Sequence, residues 1–315
     1  MWKMPGNFLP WPSRRLIESQ TMKTIPFLWT NDDITFGQAD ALTRMRDFLG
    51  GLEIPGTFFV VPIRSVGTID QDADLLAGIA AAELAGHEFH QHGTRHTPFE
   101  CGVPDIDMLE MSPEVRRSFD EKRFEIEASH ELPVMQRALQ EGQEIWRRAF
   151  GSSSRGFRPG WGAFHGNLYR ALDALGFDWV SARIVSMTSW RRNNGQWDAP
   201  LDFREGISAR AERFPGTDIY EIPMTGGEYA FKVPNLSEKI ESMIQLGCDE
   251  FDWCYQRDLP FVMVSHERAM AASEGAGYEV HRRLLKRIKE SGKAEFMTMN
   301  AYFDRTLKSE PVLAS

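Results

Sequence analysis

The sequence predicts an α/β fold arranged as a distorted (β/α) barrel of about seven strands, and three observations carry that reading. Short apolar runs alternate with longer helical patterns from Thr24 onward, the habit of a mostly parallel sheet. Most of the seven or eight strand candidates are followed by a helix, which suits one closed or nearly closed barrel better than two domains. The residues best equipped for chemistry, Asp32, Asp33, His92, Arg158 and His266, fall at or just past the ends of these strands, where barrel enzymes build their sites.

Taken in order, TIPFLWTN is the first strand and runs to Asp32. GQADALTRMRDFLGG places Ala41, Leu42, Met45, Phe48 and Leu49 at helical spacing and stops on paired glycines. GTFFVV is the next strand, DADLLAGIAAAELAG the second amphipathic helix, and HEFHQ a strand that reaches His92. A charged, mainly helical insert occupies about 100–150; Ser112-Pro113 marks a helix start and Pro133 separates two helices. A helix near Asn167–Leu175, the strand FDWVSARIV, the strand DIYEIPM, the helix SEKIESMIQLGCDEFDWCYQR, the strand PFVMVSH, a helix about Glu279–Glu290 and AEFMTMN complete the series. Residues 1–23 read as an N-terminal arm, 24–303 as one domain with its insert, and 304–315 as a tail.

Composition narrows the function. Of 315 residues, 42% are apolar and 26% charged, so the chain can bury a core and disorder is not the default. A formal charge of −9 argues against nucleic acid or an anionic membrane as main partner. Cys101, Cys248 and Cys254 form no C-x-x-C pair, which points to a reducing compartment. With no export signal and no run of about 20 apolar residues, a cytoplasmic protein without a membrane span is expected. A small-molecule or saccharide partner remains, and self-association is left open.

GHEFHQHGTRH, from Gly86 to His96, holds the densest chemistry. His92 and His96, four apart, would project from one face of a helical turn, so both rings can reach one ion. A carboxylate would complete the set. Imidazole and carboxylate suit zinc, with cobalt, nickel or manganese as alternatives that ligand type does not separate. His90, a ligand in principle, is expected to be a neighbour of His92 on the same strand face without catalytic duty, and His87 and Glu88 to pack and hydrogen-bond behind the site.

Taken together, TNDDI, GTFF, GHEFHQHGTRH, GFRPGWG, EIPM and VMVSHE resemble the NodB-like polysaccharide deacetylases, carbohydrate esterase family four, over approximately Thr24 to Phe303. The resemblance implies that Asp33, His92 and His96 hold the metal and that Asp32 is the general base. Side-chain alternation on an extended strand would send the two aspartates to opposite sides and divide those roles. It also implies that Arg158 pairs with Asp32, that His266 protonates the leaving group, that the Trp161 backbone N–H stabilises the oxyanion, and that Val264 bounds the acyl pocket.

The chain departs from the pattern in three places. Ile34-Thr35 follows Asp33 where Gly-Pro is usual, and Gly160-Trp161 stands for Pro-Tyr. The family's fourth motif, an acidic segment that tunes the acid histidine, has no counterpart: Asp178-Trp179 imitates it but comes too early. The expected activity is metal-dependent removal of an acetyl or formyl group from an amine of a sugar or sugar-like small molecule. Its rivals are hydrolysis of a non-sugar amide, cyclic amide or ureide, and a silent homologue kept for binding.

Overall fold

The computed structural model describes residues 23–104, 106–110, 112–193 and 195–308. The arm expected over 1–23 therefore lies outside the described residues except for Lys23, which pairs with Asp258.

The first half of the chain alternates as its sequence pattern requires. β1 (Ile25–Ile34), α1 (Ala39–Gly50), β2 (Thr57–Val60), a short hairpin of β3 (Ile63–Arg64) and β4 (Gly67–Thr68), α2 (Ala73–Leu84) and β5 (Glu88–His92) come in that order. The insert is helical: α3 (Ile106–Glu110), α4 (Pro113–Glu121), α5 (Arg123–Ser129) and α6 (Leu132–Phe150). Ser112 stands at the N-cap position of α4, without a side-chain capping bond, and Pro113 opens the helix; Pro133 stands in the first turn of α6, where its missing N–H costs nothing. β6 (Gly156–Arg158), α7 (Gly166–Ala174), β7 (Trp179–Val180), α8 (Thr188–Asn193), β8 (Glu212–Arg213), β9 (Tyr220–Glu221), α9 (Leu236–Arg257), β10 (Phe261–His266), α10 (Glu267–Ala271), α11 (Ala276–Glu290), β11 (Ala294–Phe296) and α12 (Met299–Tyr302) follow.

The strands form one nine-stranded sheet in the order β10-β1-β2-β5-β6-β7-β9-β8, with β11 beside β1. Within this sheet all pairs are parallel except β8 with β9, while β3 and β4 form a separate antiparallel pair. Leaving aside the flanking β8 and β11, seven parallel strands remain, the number expected. The segment after β9 bridges to β10 through Gly226 and Met263, so the last strands swing round toward the first. Gly226 is needed there, because a Cβ would lie 2.3 Å from the Phe261 ring.

Period-two alternation sorts each long strand into an outer and an inner face. On β1, Phe27 and Trp29 join the layer packed under the helices, with Leu42, Met45, Phe251 and Leu284. Leu28 faces inward with Phe59, Trp179, Val262 and Val264. Inner positions therefore end, at the strand tips, on Asp32, His92, Arg158 and His266. The segment expected as a tail from 304 continues as a helical turn over 303–307, with Phe303 and Leu307 buried, up to the last described residue.

Candidate metal centre and active site

β1 and β10 run side by side with Asp32 opposite His266 in the register, so a residue near the start of the sequence meets one near its end. β5 and β6 set His92 opposite Arg158. Asp32, His92, His96, Arg158, Trp161, Val264 and His266 all line one cavity of about 120 Å³, and Asp33 borders it. Every site residue singled out from the sequence is thus brought to one place.

Two local expectations are corrected. His92 and His96 do not share a helical turn: His92 ends β5, and the chain then reverses through Gly93 (φ 58°) and His96 itself (φ 60°). Glu100 holds that loop by accepting the backbone N–H groups of Thr94, Arg95 and His96 at 2.8–2.9 Å. The rings still converge, with centroids 4.7 Å apart. Nor do Asp32 and Asp33 part company. Asp33 is left-handed (φ 73°) and the β1–β2 register slips between Asn31 and Ile34, so strand alternation is broken where it would have turned Asp33 outward. Both carboxylates lie within 4.0 Å of His92 Nε2, Asp33 at 3.6 Å and Asp32 at 3.9 Å.

Asp33, His92 and His96 bring one ligand atom each to within 4.8 Å of one another. His96 Nε2 is 3.0 Å from Asp33 Oδ1. Their chemistry fits a divalent cation. Both Asp33 oxygens are buried and accept no hydrogen bond, their nearest groups being His96 Nε2 and the Arg268 guanidinium, each at 3.0 Å, so they are open to an ion. His92 Nδ1 donates to the Arg158 carbonyl at 2.9 Å, leaving the Nε2 lone pair aimed at the cluster. Burial, with the charge of His92, lowers the His96 pKa to about 3, which keeps its imidazole neutral at physiological pH. Burial opposes the charge on Asp33, but the surrounding imidazoles, His92 at 3.6 Å first and His266 next, outweigh it and hold that carboxyl well below its ordinary range.

Asp32 is held differently. Arg158, itself buried, donates Nη1 to Asp32 Oδ1 and to Thr30 Oγ1, both at 2.7 Å, and Nη2 to Ser181 Oγ at 3.0 Å. Its guanidinium stacks 4.0 Å from the Phe59 ring centroid. His90 and Glu88 pair behind the site at 3.3 Å, and His87 Nδ1 accepts the Gly56 N–H, so His87 and Glu88 pack and hydrogen-bond as expected.

One residue of the candidate site escaped sequence reasoning. Glu228, fully buried, meets His266 Nδ1 at 2.6 Å. Burial opposes a charged imidazole, but the Glu228 hydrogen bond and charge raise the His266 pKa to about 9. Glu228 sits in the loop TGGEY after β9, and its available signal was the acid directly after two glycines. Gly227 has no room for a Cβ against Ser189, so the backbone passes close enough to α8 to aim Glu228 inward. A carboxylate from another segment thus stands against the histidine that the missing fourth motif was expected to tune.

No protein-family model and no curated protein matches the chain. Solved structures do. A chain from Mycobacterium smegmatis assigned as a polysaccharide deacetylase superposes with a TM-score of 0.56 at 15% identity, covering 94% of this chain and 99% of that one. A Pseudomonas aeruginosa PAO1 chain, also assigned as a polysaccharide deacetylase, gives a TM-score of 0.54 at 14% identity, over 84% and 73% of the two chains. The fold is that of polysaccharide deacetylases. Within this polysaccharide-deacetylase fold, the Asp33 cluster, the Asp32–Arg158 pair and the His266–Glu228 pair occupy one end of the sheet.

Proposed function

We propose that the chain is a metal-dependent hydrolase that removes an acetyl or formyl group from an amine of a sugar or sugar-like small molecule. The observation that carries this reading is the gathering, around one cavity, of a metal-competent cluster, a carboxylate held by a buried arginine, and a protonated histidine held by a buried glutamate.

Asp33, His92 and His96 would hold the ion; when bound, a divalent metal supplies Lewis-acid polarisation of a carbonyl and lowers the pKa of water. Asp32, oriented by Arg158, takes the proton of the attacking water as its oxygen joins the acyl carbon. The carbon–nitrogen bond breaks and the nitrogen takes the proton that His266 carries on Nε2, the ring atom left free by Glu228. Carboxylic acid and amine are the products. Val264, which lines the cavity with Ile184 and Met224, would bound the acyl end, and the Trp161 backbone N–H would stabilise the developing oxyanion.

A second reading, hydrolysis of a non-sugar amide, cyclic amide or ureide, draws on the cavity walls. Met108 and Ser112 from the insert close over a pocket otherwise bounded by Trp161, Trp190 and Phe231, a shape suited to a compact substrate. The test is amine release from N-acetyl sugars against cyclic amides, with metal content measured on the same preparation. Turnover of the cyclic amides alone selects the second reading. Asp32→Asn is expected to keep its metal and lose roughly 10²- to 10⁴-fold in kcat; equal turnover, or a protein that binds no metal, removes the hydrolase.

A further inference from the structure

The cavity mouth is charged opposite to the chain. Against a formal net charge of −9, Lys232 and Arg268 both line the cavity, and each cation lies 5.3 Å from the centroid of the same ring, Phe231. Among the described residues Lys232 has no ion-pair partner. The Arg268 guanidinium meets one acid, Asp33, at 3.0 Å.

The neighbouring acids are already committed. Asp32 holds Arg158, Glu228 holds His266, and Glu267 pairs with Arg44 at 2.7 Å. Asp33 is the carboxylate that a metal would claim, and a guanidinium beside a divalent ion is repelled by it. Two cations on one aromatic ring are then left without a counter-charge from the chain. They lie close to the chemistry, because the Asp33 oxygen that Arg268 touches is also 3.9 Å from His266 Nε2. The planar guanidinium fork matches a carboxylate, and it lies beside the Phe231 ring.

We propose that the substrate is a small acylated amine bearing a carboxylate within a few bonds of the nitrogen, and that Arg268 and Lys232 take that carboxylate. This rests on the deacylase reading and names its substrate class. A neutral N-acetyl sugar would leave both cations unmatched.

The test uses the metal-loaded full chain with N-acetyl and N-formyl amino acids, each paired with its uncharged carboxamide, and with N-acetylglucosamine as a neutral sugar. We expect kcat/KM for the acid to exceed that for its carboxamide by more than about tenfold, mostly through KM. That ratio should fall about tenfold in Arg268→Gln and several-fold in Lys232→Gln, and stay fixed in Lys286→Gln, an exposed lysine of α11 paired with Glu290. A ratio near one in the unaltered chain, or a ratio that survives both pocket substitutions, overturns the proposal. Calorimetric titration with the same pairs separates the two readings. If nothing is cleaved yet the acid binds more tightly through Arg268, the anion site stands and the deacylase reading falls. Cleavage of neutral sugar without acid preference gives the reverse, and equal or no binding of acid and carboxamide without cleavage removes both.

Discussion

His96 and His266 face one cavity from opposite sides, and both are buried in surroundings that penalise a charged ring. Their outcomes are opposite. His96 has a second imidazole, His92, beside it and is driven down to about 3; His266 has Glu228 at 2.6 Å and is lifted to about 9. For His96, burial and the His92 charge outweigh the Asp33 carboxylate 3.0 Å away and leave a lone pair on offer; for His266, the Glu228 carboxylate, with Asp33 and Asp32 beyond it, outweighs burial and leaves a proton. The two sides also differ in completeness. Glu228 and His266 satisfy each other, whereas the Asp33 oxygens have no hydrogen-bond partner.

Substitutions can break that contrast one side at a time. Asp33→Asn should be the most damaging, because it removes the charged ligand on the lone-pair side. Metal content measured by plasma mass spectrometry should drop to background and turnover should fall on the order of 10³-fold, while His266 still titrates as a paired histidine. Retained stoichiometric metal would show that the cluster is not the site. Glu228→Gln attacks the proton side alone: metal stays, and kcat falls roughly 10- to 100-fold, the usual scale for a residue that orients another.

The same variant has a pH signature, read by NMR titration of the metal-free protein. The His266 midpoint, about 9 in the unaltered chain, should move down toward the ordinary value of about 6.5. The sign for stability follows. Because the folded value is raised, the stabilisation is fully present below about pH 6.5 and is lost as pH climbs through 9, so the alkaline decline of the melting temperature over that window should flatten in Glu228→Gln. An unmoved midpoint would dissociate Glu228 from the acid. Gly160→Ala is the mildest probe. Its Cβ would come 2.7 Å from the His96 ring, displacing one ligand, and a chelator-competition assay should record a loss in metal affinity of about tenfold with the His266 midpoint unchanged.

Long elements were legible in the sequence because their periodicity is set by burial on one face: β1, β5, β10, α1, α2, α9 and α11 all lie where the apolar pattern puts them. The two-residue strand β8 carries too few alternations to announce itself, while FDWVSARIV and DIYEIPM, both expected as strands, yield only Trp179–Val180 and Tyr220–Glu221. At the site, residue identity was legible and local geometry was not. A four-residue spacing brings two histidines together on a helix, and a loop turned by left-handed residues and tied to Glu100 does so equally well. Alternation failed at Asp33 for a related reason, since one positive φ reverses the side chain. Glu228 stayed hidden because its contact with His266 spans 38 residues and depends on how closely Gly226 and Gly227 allow two segments to approach.

Arg158 offers its side chain to Asp32 and its own carbonyl to His92. One residue, gripped by Thr30, Ser181 and the Phe59 ring, is thus a common mount for the group that would take a proton and a group that would hold the metal. Displacements of β6 carry both along together. Their separation should therefore fluctuate less than the position of either, so that breathing of the sheet leaves the reacting distance nearly constant.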